Sequence, residues 1–231
     1  MHLDSKHRTA ILVFAQSSQE ESRRKNIKKG EFLFETLTKH TLKIVAETGV
    51  PFFHFSEKLQ EGSSFGARFL NAIQKVFDAG YYNIITIGND SPHLTKTHIE
   101  QALDALNKNQ TVLGPSTDGG FYLMGFHRKD FSKSDFEKLP WQTSNLYDQV
   151  WALFTQKNKE CSLLPRLFDI DSNWDVLVLA KHTSELSNHI QKVLRSIISS
   201  NEKLEIPSVT YPTEVYYHIP SNKGSPCLYF S

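Results

Sequence analysis

The chain has 231 residues, with 26 lysines and arginines against 25 aspartates and glutamates, and a formal net charge of +1. That balance argues against a nucleic-acid binder relying on a broad basic face. Hydrophobic residues at 39%, with sixteen phenylalanines and three tryptophans, can fill the core of one large domain or of a domain plus an appendage. The two cysteines, Cys161 and Cys227, have no CxxC spacing, so neither a zinc site nor a disulfide framework is indicated. With no apolar signal segment at the start and no run of membrane-spanning length, the expectation is a cytoplasmic protein.

Ala10 to Ala15 is short, apolar and bounded by polar residues, which reads as a buried strand. Gln16 to Lys29 is polar and aperiodic and reads as a loop; Arg23, Arg24 and Lys25 in it serve either as solvated charges or as phosphate contacts. Phe32 to Thr48 predicts a helix and Pro51 to Phe55 a strand. Phe65, Phe69, Ile73 and Val76 recur on one helical face, closed by Gly80. Arg68, just after Gly66 at that helix start, is a surface charge or a phosphate contact.

Asn83 to Ile87 predicts the next strand, and Ile99, Ala102, Leu103 and Leu106 mark a helix capped by Thr95. Thr111 to Gly114 and Phe121 to Phe126 are further strands, and Asn145 to Lys157 a helix. Leu167 to Asp171 is strand-like, and Ser172 followed by Asp175 resembles a capping box, so a helix begins near Asn173. Leu186, Ile190, Val193, Leu194, Ile197 and Ile198 form an apolar stripe that serves either the core or a homodimer face. Residues 1–201 read as one domain and 202–231, rich in proline and tyrosine, as an irregular tail packed on it. Strands alternating with helices predict an α/β protein with a mainly parallel sheet covered on both faces, where ligands collect beyond the carboxyl ends of the strands.

The acids fall at those ends. Asp90 follows the run Asn83-Ile-Ile-Thr-Ile-Gly88, Asp118 lies in Gly114-Pro-Ser-Thr-Asp-Gly-Gly120 between two strands, and Asp169 and Asp171 close the strand-like segment. Carboxylates at several strand mouths suit a hard cation and a phosphate ester. Each also has a plainer role: Asp90 as a turn or capping acid, Asp118 as an ordinary Asp-Gly turn, Asp169 and Asp171 as a cap and a surface acid. Trp141 is either a core aromatic or a stacking surface. The ten histidines show no HxxxH or HxH spacing and are assigned to no metal.

These motifs, taken in order, resemble a family of small glycosyltransferase-A-like proteins, DUF2064, described as nucleotide-diphospho-sugar transferases. The matching segments are Ile11–Ala15, Gln60–Arg68, Ile87–Thr95, Val112–Gly125, Pro140–Ser144 and Asp169–Asp175. The resemblance implies a nucleotide-diphospho-sugar transferase fold of the Rossmann-like GT-A type, with a mixed, mostly parallel sheet. It implies that Asp90, with Asp169 and Asp171, holds Mg2+ or Mn2+ and that Asp118, Gly119 and Gly120 line the sugar side. The chain departs from the family's pattern after the first strand, where Gln16 to Asn26 lacks the proline-glycine loop and gains two glutamates, and at Ser172-Asn173, where relatives show threonine-proline.

The expectation is glycosyl transfer from a nucleotide-diphospho-sugar to a small-molecule acceptor, with Asp90 and Asp118 as catalytic residues. Arg24, Lys25, Arg68, Gly119, Gly120 and Trp141 would bind nucleotide or substrate. Alternatives are a nucleotidyltransferase on the same fold and a nucleotide-binding protein without catalysis. No nucleic-acid partner and no membrane span are expected.

Overall fold

The computed structural model describes residues 9–156, 159–183 and 186–199. Within them six strands form one sheet in the order β2-β1-β3-β5-β4-β6. These are β1 (Thr9–Phe14), β2 (Phe52–Phe55), β3 (Asn83–Ile87), β4 (Thr111–Pro115), β5 (Phe121–His127) and β6 (Cys161–Leu163). The β1–β2, β1–β3 and β4–β6 pairs are parallel, and β5 runs antiparallel to both β3 and β4. The sheet is therefore mixed and mostly parallel. Since β5 reverses direction, the Ser116–Gly120 turn lies at the same edge as the carboxyl ends of β1 and β3.

Alternation along each strand sends side chains to two cores. Ile11, Val13, Ile85, Ile87, Val112 and Leu123 pack with residues of α2 (Gly30–Glu47) and α4 (Lys96–Asn107). Ala10, Leu12, Ile84, Leu113, Met124 and Phe126 pack with α3 (Phe65–Asp78), α5 (Lys133–Glu137) and α6 (Leu146–Thr155). Both faces are buried, which is why the strands read as unbroken apolar runs. A third cluster joins Leu33, Phe34 and Leu37 of α2 to α7 (Asn173–Lys181) and α8 (Asn188–Ser199). The stripe Leu186, Ile190, Val193, Leu194 and Ile197 is buried there, so it is core.

Two expectations are corrected. The segment after β1 is not a loop: Ser18–Lys25 forms the helix α1. Ser17 caps it by accepting from the Glu20 amide at 3.5 Å, with Glu20 and Glu21 in the first turn and Arg23, Arg24 and Lys25 in the last, as the helix dipole favours. Apolar periodicity misses it because its buried residue is a glutamate, Glu21. Leu167–Asp171 is not a strand: Leu167 makes one bridge to Ser116, and Asp169 to Asp171 follow in irregular backbone. The short β6, Cys-Ser-Leu, carried no pattern that sequence reading could use. The expected tail, 202–231, lies outside the described residues.

Candidate functional site

At the carboxyl edge of β1, β3 and β4 a cleft of about 620 Å³ opens, lined by Gln16, Glu21, Arg24, Lys25, Asp90, Asp118, Asp169 and Asp171 among others. Three segments meet in it. Asp90 lies three residues beyond β3, and its carbonyl accepts the Ile170 amide at 3.0 Å, which ties the β3 loop to the segment carrying Asp169 and Asp171. Asp171 precedes α7, whose N-cap Ser172 accepts from the Asp175 amide at 3.3 Å while Asp175 Oδ2 accepts from the Asp171 amide at 3.0 Å. α1 supplies Lys25.

Lys25 sits between the two acids. Its Nζ donates to Asp90 Oδ2 at 2.9 Å and to the Ile170 carbonyl at 2.7 Å, and stands 3.0 Å from Asp171 Oδ1. Two of the ammonium's three N–H donors are thus used in hydrogen bonds, and Asp171 adds an ion pair. Glu21 Oε2 follows at 3.9 Å, and the Phe34 ring centroid lies 5.1 Å away. The Lys25 side chain is 5% exposed, against 28% for Asp90 and 39% for Asp171. Burial alone would lower the lysine's pKa, but Asp90, then Asp171 and Glu21, more than offset it, and the pKa is raised. Lys25 is thus not a solvated charge. Arg23 is: its side chain is 78% exposed and pairs with Glu20. Arg24 pairs with Glu21 at 3.2 Å and lines the cleft.

Asp169 is buried and accepts from the Ser91 hydroxyl. Burial first, then the charges of Asp90, Asp118 and Asp171, push its carboxyl well above the usual carboxylate range. Asp118 Oδ1 accepts from the Gly120 amide at 3.0 Å and from the Ser116 hydroxyl, which holds the carboxylate inside its own turn. Several carboxylates are therefore crowded at one rim. Among the described residues, however, no group of three or more His, Cys, Asp or Glu side chains is arranged to hold a metal ion.

Four expected site residues are not brought to the cleft. Arg68, Gly119, Gly120 and Trp141 are outside its lining. Gly119 is needed for a close approach, but to the chain itself: at φ +88° a Cβ there would lie 2.2 Å from the Ser144 carbonyl. Trp141 is a packing residue, its Nε1 donating to the Phe136 carbonyl at 2.9 Å and its ring lying 5.3 Å from Phe69. A Cβ on Gly66 would meet that indole at 2.4 Å.

Other lining residues were not anticipated. Gln16, the first polar residue after the β1 run, has a buried Oε1 with no hydrogen-bond partner among the described residues. Phe14, Phe65 and Phe69 form an aromatic wall of the cleft, with Phe14 5.7 Å from Phe65 and 5.1 Å from Phe69. Trp174, 44% exposed, lines the same cleft from the first turn of α7. A tryptophan at a predicted helix start was the signal available for it.

Residues 43–143 match the family described as "Uncharacterized protein conserved in bacteria (DUF2064)". The DUF2064 match takes in the Asp90 and Asp118 motifs and leaves α1, Asp169 and Asp171 outside it. Among solved structures, a "putative nucleotide-diphospho-sugar transferase" from Desulfovibrio desulfuricans G20 is 23% identical, with a TM-score of 0.72 over 85% of this chain and 96% of that one. The two share a fold, and the expected GT-A-like architecture stands. More distant are a manganese complex of a protein from Mycobacterium tuberculosis H37Rv and a 4-diphosphocytidyl-2C-methyl-D-erythritol synthase from Anaerococcus prevotii DSM 20548. The first is 12% identical (TM-score 0.45; 75% of this chain, 98% of that one) and the second 9% identical (TM-score 0.47; 77% and 99%). Those scores are too low to bear on the site. No curated protein matches the chain.

Proposed function

We propose that the chain is a transferase that holds a nucleotide-diphosphate-linked sugar in the carboxyl-edge cleft and passes the glycosyl group to a small acceptor. The observation that carries this reading is the convergence of Asp90 and Asp171, from separate segments, on one cation position, 2.9 and 3.0 Å from the Lys25 Nζ. Two carboxylate oxygens aimed at one point are the donor chemistry a hard divalent ion takes. Asp90 and Asp171 would hold Mg2+ or Mn2+, with Asp169 behind them. Such an ion, when bound, neutralises the diphosphate leaving group.

The chain's own residues then divide the work. The crowded acids repel a bare diphosphate, so the cleft selects a ligand that arrives with its own positive charge. Arg24, at the α1 end of the cleft and itself partly exposed, can exchange its pairing with the buried Glu21 for a phosphate oxygen. The aromatic wall and Trp174 offer flat apolar surface to a base. The free acceptor on Gln16 suits a ring N–H, an amino group or a hydroxyl. Asp118, locked by Ser116 and Gly120, presents a fixed carboxylate that orients sugar hydroxyls or takes the acceptor's proton.

Nucleotidyl transfer is the weaker reading because of α1. Beyond its first turn, the amides of a helix are spent on i→i−4 bonds and are not available to cradle a triphosphate. Isothermal titration with a panel of nucleoside-diphosphate sugars in Mn2+ tests the proposal, with micromolar binding of at least one expected. No heat from any of them, with the protein folded, would overturn it; pyrophosphate release from a nucleoside triphosphate would favour the weaker reading.

A further inference from the structure

We propose that Lys25 is a tethered cation that fills the metal position, so that a divalent ion enters only when the lysine ammonium withdraws. This rests on the reading that Asp90 and Asp171 take such an ion. The argument is one of space and charge. Mg2+ binds carboxylate oxygens at about 2.1 Å, and Mn2+ at similar distances. Lys25 Nζ stands 2.9 Å from Asp90 Oδ2 and 3.0 Å from Asp171 Oδ1, so an ion ligated by both oxygens would overlap the ammonium. Two like charges in that space would also repel strongly in a site only partly open to water.

The lysine is no loosely placed rim charge. Its Nζ donates to Asp90 and to the Ile170 carbonyl and is ion-paired with Asp171, its side chain is 5% exposed, and the Nζ lies over the Phe34 ring. The same contacts make it a structural substitute for the ion in the empty state. They join α1, the Asp90 loop and the Asp169–Asp171 segment, and they remove the cost of leaving two facing carboxylates unneutralised. When an ion arrives, that duty passes to it. The lysine is then freed at the α1 end of the cleft, beside Arg24. A ligand that brings its own divalent ion is therefore favoured twice: the ion replaces Lys25, and the released ammonium gains an anionic neighbour. Metal affinity in the absence of ligand is correspondingly reduced by the fraction of molecules whose lysine is withdrawn.

The test uses Mn2+ alone on the full chain, with bound ion counted by loss of the free Mn2+ electron paramagnetic resonance signal. Lys25→Met should bind Mn2+ at least about tenfold more tightly than the wild type, since the competing charge is gone and the populated state is binding-competent. Adding Asp90→Asn should abolish the gain. Equal, Asp90-dependent binding by wild type and Lys25→Met would overturn the lysine's role and leave the metal reading standing. No binding by either, both folded by circular dichroism, would overturn the two together. Because Lys25→Met leaves two facing carboxylates unneutralised without metal, a second measurement uses the wild type. Lys25 should be protected from a small amine-acylating reagent in metal-free protein and labelled on addition of Mn2+, with exposed Lys39 as the reference. A Lys25 that stays protected at saturating Mn2+ refutes the displacement.

Discussion

Gly119→Ala probes the link between the Asp118 turn and the body of the protein. Two costs are separable. The residue sits at φ +88°, where an alanine pays about 1 kcal/mol of backbone strain. Its new Cβ would also lie 2.2 Å from the Ser144 carbonyl oxygen and 2.8 Å from the Ser144 Cα, both backbone atoms that cannot rotate away. The turn is pinned on both sides, by Tyr147 N to Gly119 O at 3.0 Å and Ser116 N to Gly120 O at 3.0 Å, so relief needs a backbone shift. Overpacking of that kind costs roughly 1–3 kcal/mol. The total, ~2–4 kcal/mol, corresponds to a fall in Tm of roughly 5–15 °C for a chain of this length. Gly49→Ala is the control, because Gly49 has φ +70° with nothing within 4 Å of the added Cβ and therefore pays the strain alone. Urea unfolding of both variants separates the costs: Gly119→Ala should lose ~1–3 kcal/mol more than Gly49→Ala. Equal losses, within about 0.5 kcal/mol, would show that the Asp118 turn does not press on the Ser144 segment in solution, and its fixed carboxylate would go with it.

Asp90→Asn should weaken nucleotide-sugar binding in Mn2+ by at least about tenfold, read by titration, while Lys25 keeps Asp171 and the Ile170 carbonyl as partners. Trp174 and Trp141 should part company. Trp174→Ala, at an exposed rim position, should change stability by no more than about 0.5 kcal/mol yet weaken nucleotide binding roughly tenfold; Trp141→Ala should cost ~2–4 kcal/mol of stability. In an Asp169→Asn background, which removes the carboxyl held well above its usual range and with it the opposing proton uptake on folding, stability should fall on acidification below about pH 6.5, the usual histidine value, because burial holds His40, His98 and His127 below it. The sign follows from proton uptake: the unfolded chain binds protons there that the folded one refuses, so stability present above that pH is lost as pH drops towards the folded values. His98 gives this a visible cause, since its Nδ1 accepts the Thr95 amide at 3.1 Å at the start of α4 and a protonated ring cannot. A Tm that is flat or rising from pH 7 to 5 would contradict it.

The strands and amphipathic helices were legible because their patterns are set by two-sided or one-sided burial. Asn83–Ile87 and Phe121–His127 are near-continuous apolar runs covered on both faces, and α3 and α8 carry one apolar stripe each. Asp90 and Asp118 could be placed at one edge from the strand ends; Asp169 and Asp171 reach the same edge, but from irregular backbone rather than from the strand expected for them. What stayed hidden depends on contacts between distant residues. α1 has no apolar face, and its two buried side chains, Glu21 and Lys25, are charged, so no hydropathy period marks it. That Lys25 would fill the space between Asp90 and Asp171 depends on where that helix lands. Gly119 looked like a residue kept small for a ligand, but the neighbour is Ser144, on a turn joined to it only by the fold. Trp141 and Trp174 are indistinguishable by residue type; one is held by the Phe136 carbonyl and three phenylalanine rings, and the other is left at the rim.

A crystal structure with Mn2+ and a nucleoside-diphosphate sugar tests the central claim most directly. The account predicts an anomalous manganese peak ligated by Asp90 and Asp171, the diphosphate on the same ion within the cleft, and Lys25 moved from its present place. Manganese or nucleotide bound away from this pair, with Lys25 still between the two carboxylates, would contradict it.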